Sequence, residues 1–102
     1  MSPSPESSAT VLHEPEKARF VLLVDGAEAG VAEYRSDGTR RDVYHTEILP
    51  EFQGQGLSTP LIEAVLEDTA AQGLRLIPSC SAVAHALTKE KFARFRELLE
   101  RA

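Results

Sequence analysis

The chain has 102 residues, 42% hydrophobic and 26% charged, with a formal net charge of −5 at pH 7. This is the size of one domain with a modest core, and its acidity argues against nonspecific nucleic-acid binding, which needs a basic surface. A single cysteine excludes an intrachain disulfide and fits a reduced, cytoplasmic setting. No apolar run is long enough to span a membrane, and no signal peptide is expected.

Met1 to Thr10 is rich in serine and proline and is expected to form a disordered tail, with the domain occupying residues 11–102. Ala18 to Val24 holds the apolar run Phe20-Val21-Leu22-Leu23-Val24, which reads as a strand, and Asp25-Gly26 after it signals a hairpin turn. Gly30 to Ser36 alternates, with Ala32 and Tyr34 on one face and Val31, Glu33 and Arg35 on the other. Asp37-Gly38 is a second turn of the same chemistry. Asp42 to Leu49 alternates again and places Val43, His45, Glu47 and Leu49 on one face, with Tyr44, Thr46 and Ile48 on the other. The three strands predict an antiparallel meander.

Leu57 to Gln72 has Leu61, Ile62, Val65, Leu66 and Thr69 at helical spacing, and Gly73 follows as a C-terminal cap. Pro60 is tolerated in the first turn, where no N–H bond is lost. Leu74 to Pro78 reads as a short strand. A strand, a crossover helix and a strand make a right-handed parallel unit, so this fourth strand belongs beside the third. Ser81 to Leu87 reads as helical. Lys89 to Arg101 reads as an amphipathic helix through Phe92, Phe95, Leu98 and Leu99, either separate from the preceding helix or continuous with it. The expected class is α/β (α+β), a twisted mixed sheet with a crossover helix and a helical C-terminus.

The segment Gln53-Gly54-Gln55-Gly56 between the third strand and the long helix has the makings of an anion cradle. Glycines let backbone N–H groups approach an anion, and the helix start adds unpaired amides and the positive end of its dipole. A third glycine for a dinucleotide fingerprint is missing, and no Gly-Lys-Ser/Thr follows as in a P-loop. The loop carries no Lys or Arg, so Arg40, Arg41, Arg94 and Arg96 are candidate outer-phosphate partners.

Gln53-x-x-Gly56-x-Ser58 resembles the pyrophosphate loop of the GNAT superfamily of N-acetyltransferases. His45-Thr46-Glu47-Ile48-Leu49-Pro50 and Ile77-Pro78-Ser79-Cys80-Ser81 extend the likeness to the small, single-domain YjdJ-like branch, over about residues 11–87. The resemblance implies an N-acetyltransferase that moves the acetyl group of acetyl-CoA to an amine, on a small molecule or a protein lysine. It implies that Gln53, Gly54, Gln55, Gly56, Leu57 and Ser58 wrap the pyrophosphate, and that Glu47, Ile48 and Leu49 hydrogen-bond the pantetheine arm where neighbouring strands splay. Ser58 stands where Gly or Ala is usual. The branch has an aromatic two residues after the cysteine and a tyrosine six after it. This chain has Ala82 and Ala86, which leaves protonation of the departing thiolate to water or to Cys80.

Three side chains are candidates for the chemistry. Cys80 lies at a helix start, which favours thiolate, and the resemblance places it near the acetyl group as a possible nucleophile. His45 and Glu47 share a strand face, and either can take a proton from an attacking ammonium. His13 and His85 have no supporting context, and the three histidines and one cysteine lack metal-ligand spacing. A noncatalytic CoA-binding or protein-interaction module on the same fold is the alternative, and the oligomeric state is left open.

Overall fold

The computed structural model describes residues 9–99. Residues 1–8 of the tail expected over 1–10, and residues 100–101 of the helix expected over 89–101, lie outside the described residues. The expected last two residues of the tail, Ala9 and Thr10, instead open a strand, β1 (Ala9–Glu14). A short 3-10 turn, Pro15–Lys17, leads into β2 (Arg19–Val24), followed by β3 (Ala27–Ser36) and β4 (Arg40–Ile48). Another 3-10 turn, Pro50–Phe52, and the glycine turn precede α1 (Ser58–Ala71). β5 (Arg75–Ile77), α2 (Ser81–Ala86) and a 3-10 helix at Glu90–Leu98 complete the chain.

The sheet has five strands in the order β1-β2-β3-β4-β5. β1 through β4 pair antiparallel, and β5 pairs parallel with β4 after the α1 crossover, as the sequence predicts. β1 is the strand that sequence reading missed. It is an edge strand in which only alternate residues turn inward, with Thr10 and Leu12 exposed, so its apolar signal is thin.

The core lies between the sheet and α1. Phe20, Leu22, Ala32, Tyr34 and Val43 from the strands meet Leu61, Ile62, Val65 and Leu66 from the helix, all buried. Thr69, buried on the same helix face, donates to the Val65 carbonyl at 2.7 Å. The helix ends in a Schellman pair: Gly73 N–H to Ala70 O at 3.0 Å and Leu74 N–H to Thr69 O at 3.1 Å. Gly30 sits where β3 meets β4 closely: a Cβ there would lie 2.7 Å from Ile48 Cδ1 and 2.8 Å from Glu47 O.

The C-terminal segment is a separate 3-10 helix, not the α-helix its amphipathic pattern predicts. Phe92, Phe95 and Leu98 recur every three residues, the period of a 3-10 helix, so one row of side chains reaches the core. Leu99 then forms a parallel bridge to Leu76 beside β5.

β4 departs from the expected alternation. Glu33 pairs with His45 while Tyr34 pairs with Val43, so Tyr44 is an extra residue bulged out of the ladder. The bulge reverses the parity of everything after it. Arg41 and Val43 point to the core, and beyond the bulge Thr46 and Ile48 take the inward side while His45 and Glu47 are exposed. The expectation that Val43 shares a face with His45 and Glu47 is therefore corrected.

Candidate functional site: a splayed strand pair and a glycine turn

β4 and β5 pair only at Arg40–Asp42 and Arg75–Ile77. Pro78 has no N–H to continue the ladder. The last main-chain link is Cys80 N–H to Val43 O at 2.9 Å. Beyond it the two segments separate, and Tyr44 to Ile48 has no strand on that side among the described residues. Leu49 N–H donates to Ala29 O at 2.8 Å. Antiparallel alternation then directs the main-chain groups of Glu47 towards β3 and those of Thr46 and Ile48 into the opening. The Ile48 carbonyl is met there by Gln53 Nε2 at 2.9 Å. Of the strand residues expected to hold a pantetheine arm, Ile48 thus turns its backbone to the gap, whereas the Leu49 amide is held by Ala29.

At the open end of this gap the chain makes its glycine turn. Gly54 and Gly56 take φ of +83° and +72°, which L side chains rarely adopt. No carbonyl among the described residues accepts from the amides of Gly54, Gln55, Gly56, Leu57 or Ser58. α1 begins with Leu57 as its N-cap and no side-chain cap, so its first amides and dipole face outward together. Ile48, Phe52, Gln53, Gly54, Gly56, Leu57 and Ser58 line a cavity of about 110 Å³ at this point. Gln55 lies exposed on the same turn.

The four arginines considered as outer-phosphate partners are engaged elsewhere. Arg40 pairs with Asp37 at 2.9 Å, Arg41 is buried against Asp68 at 2.8 Å, Arg94 pairs with Glu67 at 3.3 Å, and Arg96 donates to the Leu87 carbonyl.

Cys80 stands at the apex of the gap, half-buried, with Sγ 3.2 Å from Thr46 Oγ1. Burial raises its pKa, but hydrogen bonds from the Thr46 hydroxyl and from the amides of Ala82, Val83 and Thr46 outweigh it and bring the thiol below its ordinary value. Thr46 is the site residue that sequence reasoning missed. Its inward orientation depends on the bulge at Tyr44, which leaves no mark in the sequence pattern. His45 and Glu47 come together as expected, Nε2 to Oε1 at 3.3 Å, but on the exposed face of β4, the side away from Thr46. Among the described residues no His, Cys, Asp and Glu group is placed to hold a metal ion, and no helix is long and apolar enough to cross a membrane.

These features define an α/β domain whose sheet opens beside a turn of free amides. The chain belongs to the GCN5-related N-acetyl-transferase family, whose model matches residues 19–97. No curated protein sequence matches it. Its fold is that of a GCN5-like protein from Staphylococcus aureus proposed as an N-acetyltransferase, with a TM-score of 0.66 and 23% identity over 94% of this chain and 92% of that one. Ard1 from Thermoplasma volcanium superposes with a TM-score of 0.52 and 20% identity, over 60% of this chain and 44% of Ard1. N-acetylglutamate synthase from Neisseria gonorrhoeae, solved with coenzyme A and N-acetyl-glutamate, gives a TM-score of 0.52 and 16% identity, over 70% of this chain and 19% of the synthase.

Proposed function

We propose that this chain transfers the acetyl group of acetyl-CoA to an amine, and that it sits in the small single-domain YjdJ-like branch of its family. The observation that carries the reading is the run of unaccepted amides from Gly54 to Ser58 at the mouth of the β4–β5 gap. A diphosphate fits there because amides and helix dipole converge without an opposing side chain. The cosubstrate structure of the N. gonorrhoeae synthase supports the same ligand class. Gln53 to Ser58 would grip the diphosphate, and Ile48 would meet the pantetheine arm, with Leu49 tying the start of the turn to β3.

The acceptor approaches from the exposed face of β4. His45, backed by Glu47, takes a proton from the ammonium, and the neutral amine attacks the thioester carbonyl. The nitrogen adds to the carbonyl carbon, and the resulting tetrahedral oxyanion collapses with cleavage of the carbon–sulfur bond. The extra proton of the new amide nitrogen passes by way of water or Cys80 to the departing thiolate, leaving amide and CoA. Of the strand amides near Ile48 and Leu49, that of Ile48 faces the gap and would hold the developing oxyanion, the Leu49 amide being taken by Ala29. The hydrogen bonds that lower the Cys80 pKa favour a second route, in which the acetyl group passes first to Sγ and then to the amine. The acidic chain suits a cationic acceptor, a polyamine or a protein lysine.

Thermal melts with acetyl-CoA and CoA test the reading, because a ligand held only by the folded chain adds about 2.7 kcal/mol at 100-fold excess over its Kd. Both ligands are expected to raise the melting temperature, and no rise with either at millimolar concentration overturns the proposal. Intact mass after acetyl-CoA, with wild type and Cys80→Ala, separates the routes: a gain of one acetyl group that the variant loses supports sulfur. A ligand-induced rise without turnover of any amine would favour a noncatalytic CoA-binding module, the reading to which Ala82 and Ala86 point.

A further inference from the structure

The glycine turn carries no cation of its own, in a chain of net charge −5. A nucleotide thioester brings a diphosphate and a ribose phosphate, so countercharge has to come from elsewhere. A second cleft, about 140 Å³, begins at Ser58 and runs between α1 and α2. Thr59 and Ile62 of α1 face Ala82, His85 and Ala86 of α2 across it, and Lys89 and Phe92 close the end. The side chains of Ala82 and Ala86 are too short to fill it. His85 and Lys89 are exposed, and among the described residues neither makes a side-chain ion pair. By contrast, Arg94 and Arg96 nearby are held by Glu67, Glu63 and backbone carbonyls.

We infer that this cleft seats the ribose phosphate of the cosubstrate, with His85 and Lys89 as its donors and the Ser58 and Thr59 hydroxyls at its entrance. The inference rests on the proposed CoA reading. It continues the line of anion contacts from the amides of the turn onto α2. An ammonium and an imidazole N–H to a phosphate are charge-assisted bonds, stronger than neutral ones. They make His85 and Lys89 the residues that discriminate CoA from the same molecule lacking its 3′-phosphate.

Isothermal titration of the full chain with CoA and with dephospho-CoA tests this. Wild type is expected to bind CoA on the order of tenfold more tightly. His85→Ala and Lys89→Ala each narrow the ratio, and the double variant brings CoA down to the dephospho-CoA value while leaving the latter unchanged. The preference also shrinks in high salt. Both side chains are exposed, and far-UV circular dichroism checks that the variants fold. Equal binding of the two ligands by wild type, or a ratio that survives the double substitution, overturns the assignment while leaving the CoA reading intact. If wild type binds neither ligand, the CoA reading falls and this inference falls with it.

Discussion

At the scale of single residues, the hydrogen bonds to one sulfur decide how Cys80 behaves. A thiol held below its ordinary value is a better nucleophile near neutral pH than a free cysteine. Alkylation of native protein by iodoacetamide should therefore show a pH midpoint below about 8.5, the unperturbed value, and Thr46→Val should move it upward. An unchanged midpoint in the variant would remove Thr46 from the site. The sign for stability follows the same shift. The native thiolate is favoured relative to the unfolded chain, so its contribution is complete above the ordinary thiol pKa and is lost as pH falls through the lowered one. The cysteine and the glycines could be picked from the sequence because their chemistry is a property of residue type and helix position. Thr46 could not, since its partner lies 34 residues away and the bulge that aims it inward belongs to the pairing of two strands.

At the scale of elements, the turn between β4 and α1 does the positioning. Its geometry needs positive φ at Gly54 and Gly56, and neither site has a neighbour within 4 Å of an added Cβ. Gly56→Ala should therefore cost backbone strain and not a clash, about 1–2 kcal/mol. That lowers the melting temperature by roughly 4–8 °C per kcal/mol in a domain this size. CoA affinity should fall in the same variant, because the amides around it turn away. Urea denaturation and titration measure the two effects, and an alanine variant with wild-type stability and affinity would show that the turn does not need this conformation. The glycine turn, the meander, α1 and β5 were all legible, each announced by local period or turn chemistry. β1 was not, for lack of an inward apolar run. The last helix was misjudged in kind because a three-residue repeat of Phe92, Phe95 and Leu98 satisfies an α-helical stripe nearly as well.

At the scale of the whole molecule, Arg41 joins the sheet to the crossover helix. Its guanidinium, 5% exposed, bonds Asp68 at 2.8 Å and Thr69 Oγ1 at 3.3 Å and stacks 4.3 Å from the Tyr34 ring. Removing it leaves Asp68, 25% exposed, with only His13 beside it at 3.9 Å, and takes away the guanidinium stacked on Tyr34, so Arg41→Ala should cost about 3 kcal/mol by urea denaturation. Arg94→Ala, which breaks exposed pairs with Glu63 and Glu67, should cost less than about 1 kcal/mol. Equal losses would mean that the Arg41 pair does not hold the layers together. The sequence by itself determined the class of fold, the order of the strands after the first, the crossover helix and the helical end, and an amide-rich turn ahead of a long helix, because periodicity, turn residues and helix ends act over a few residues. Tertiary structure alone decided the face each β4 side chain takes, the arginines that are engaged away from the turn, and the meeting of Cys80 with Thr46. Each of these depends on how strands distant in sequence register against one another, and a single bulged residue is enough to reverse it.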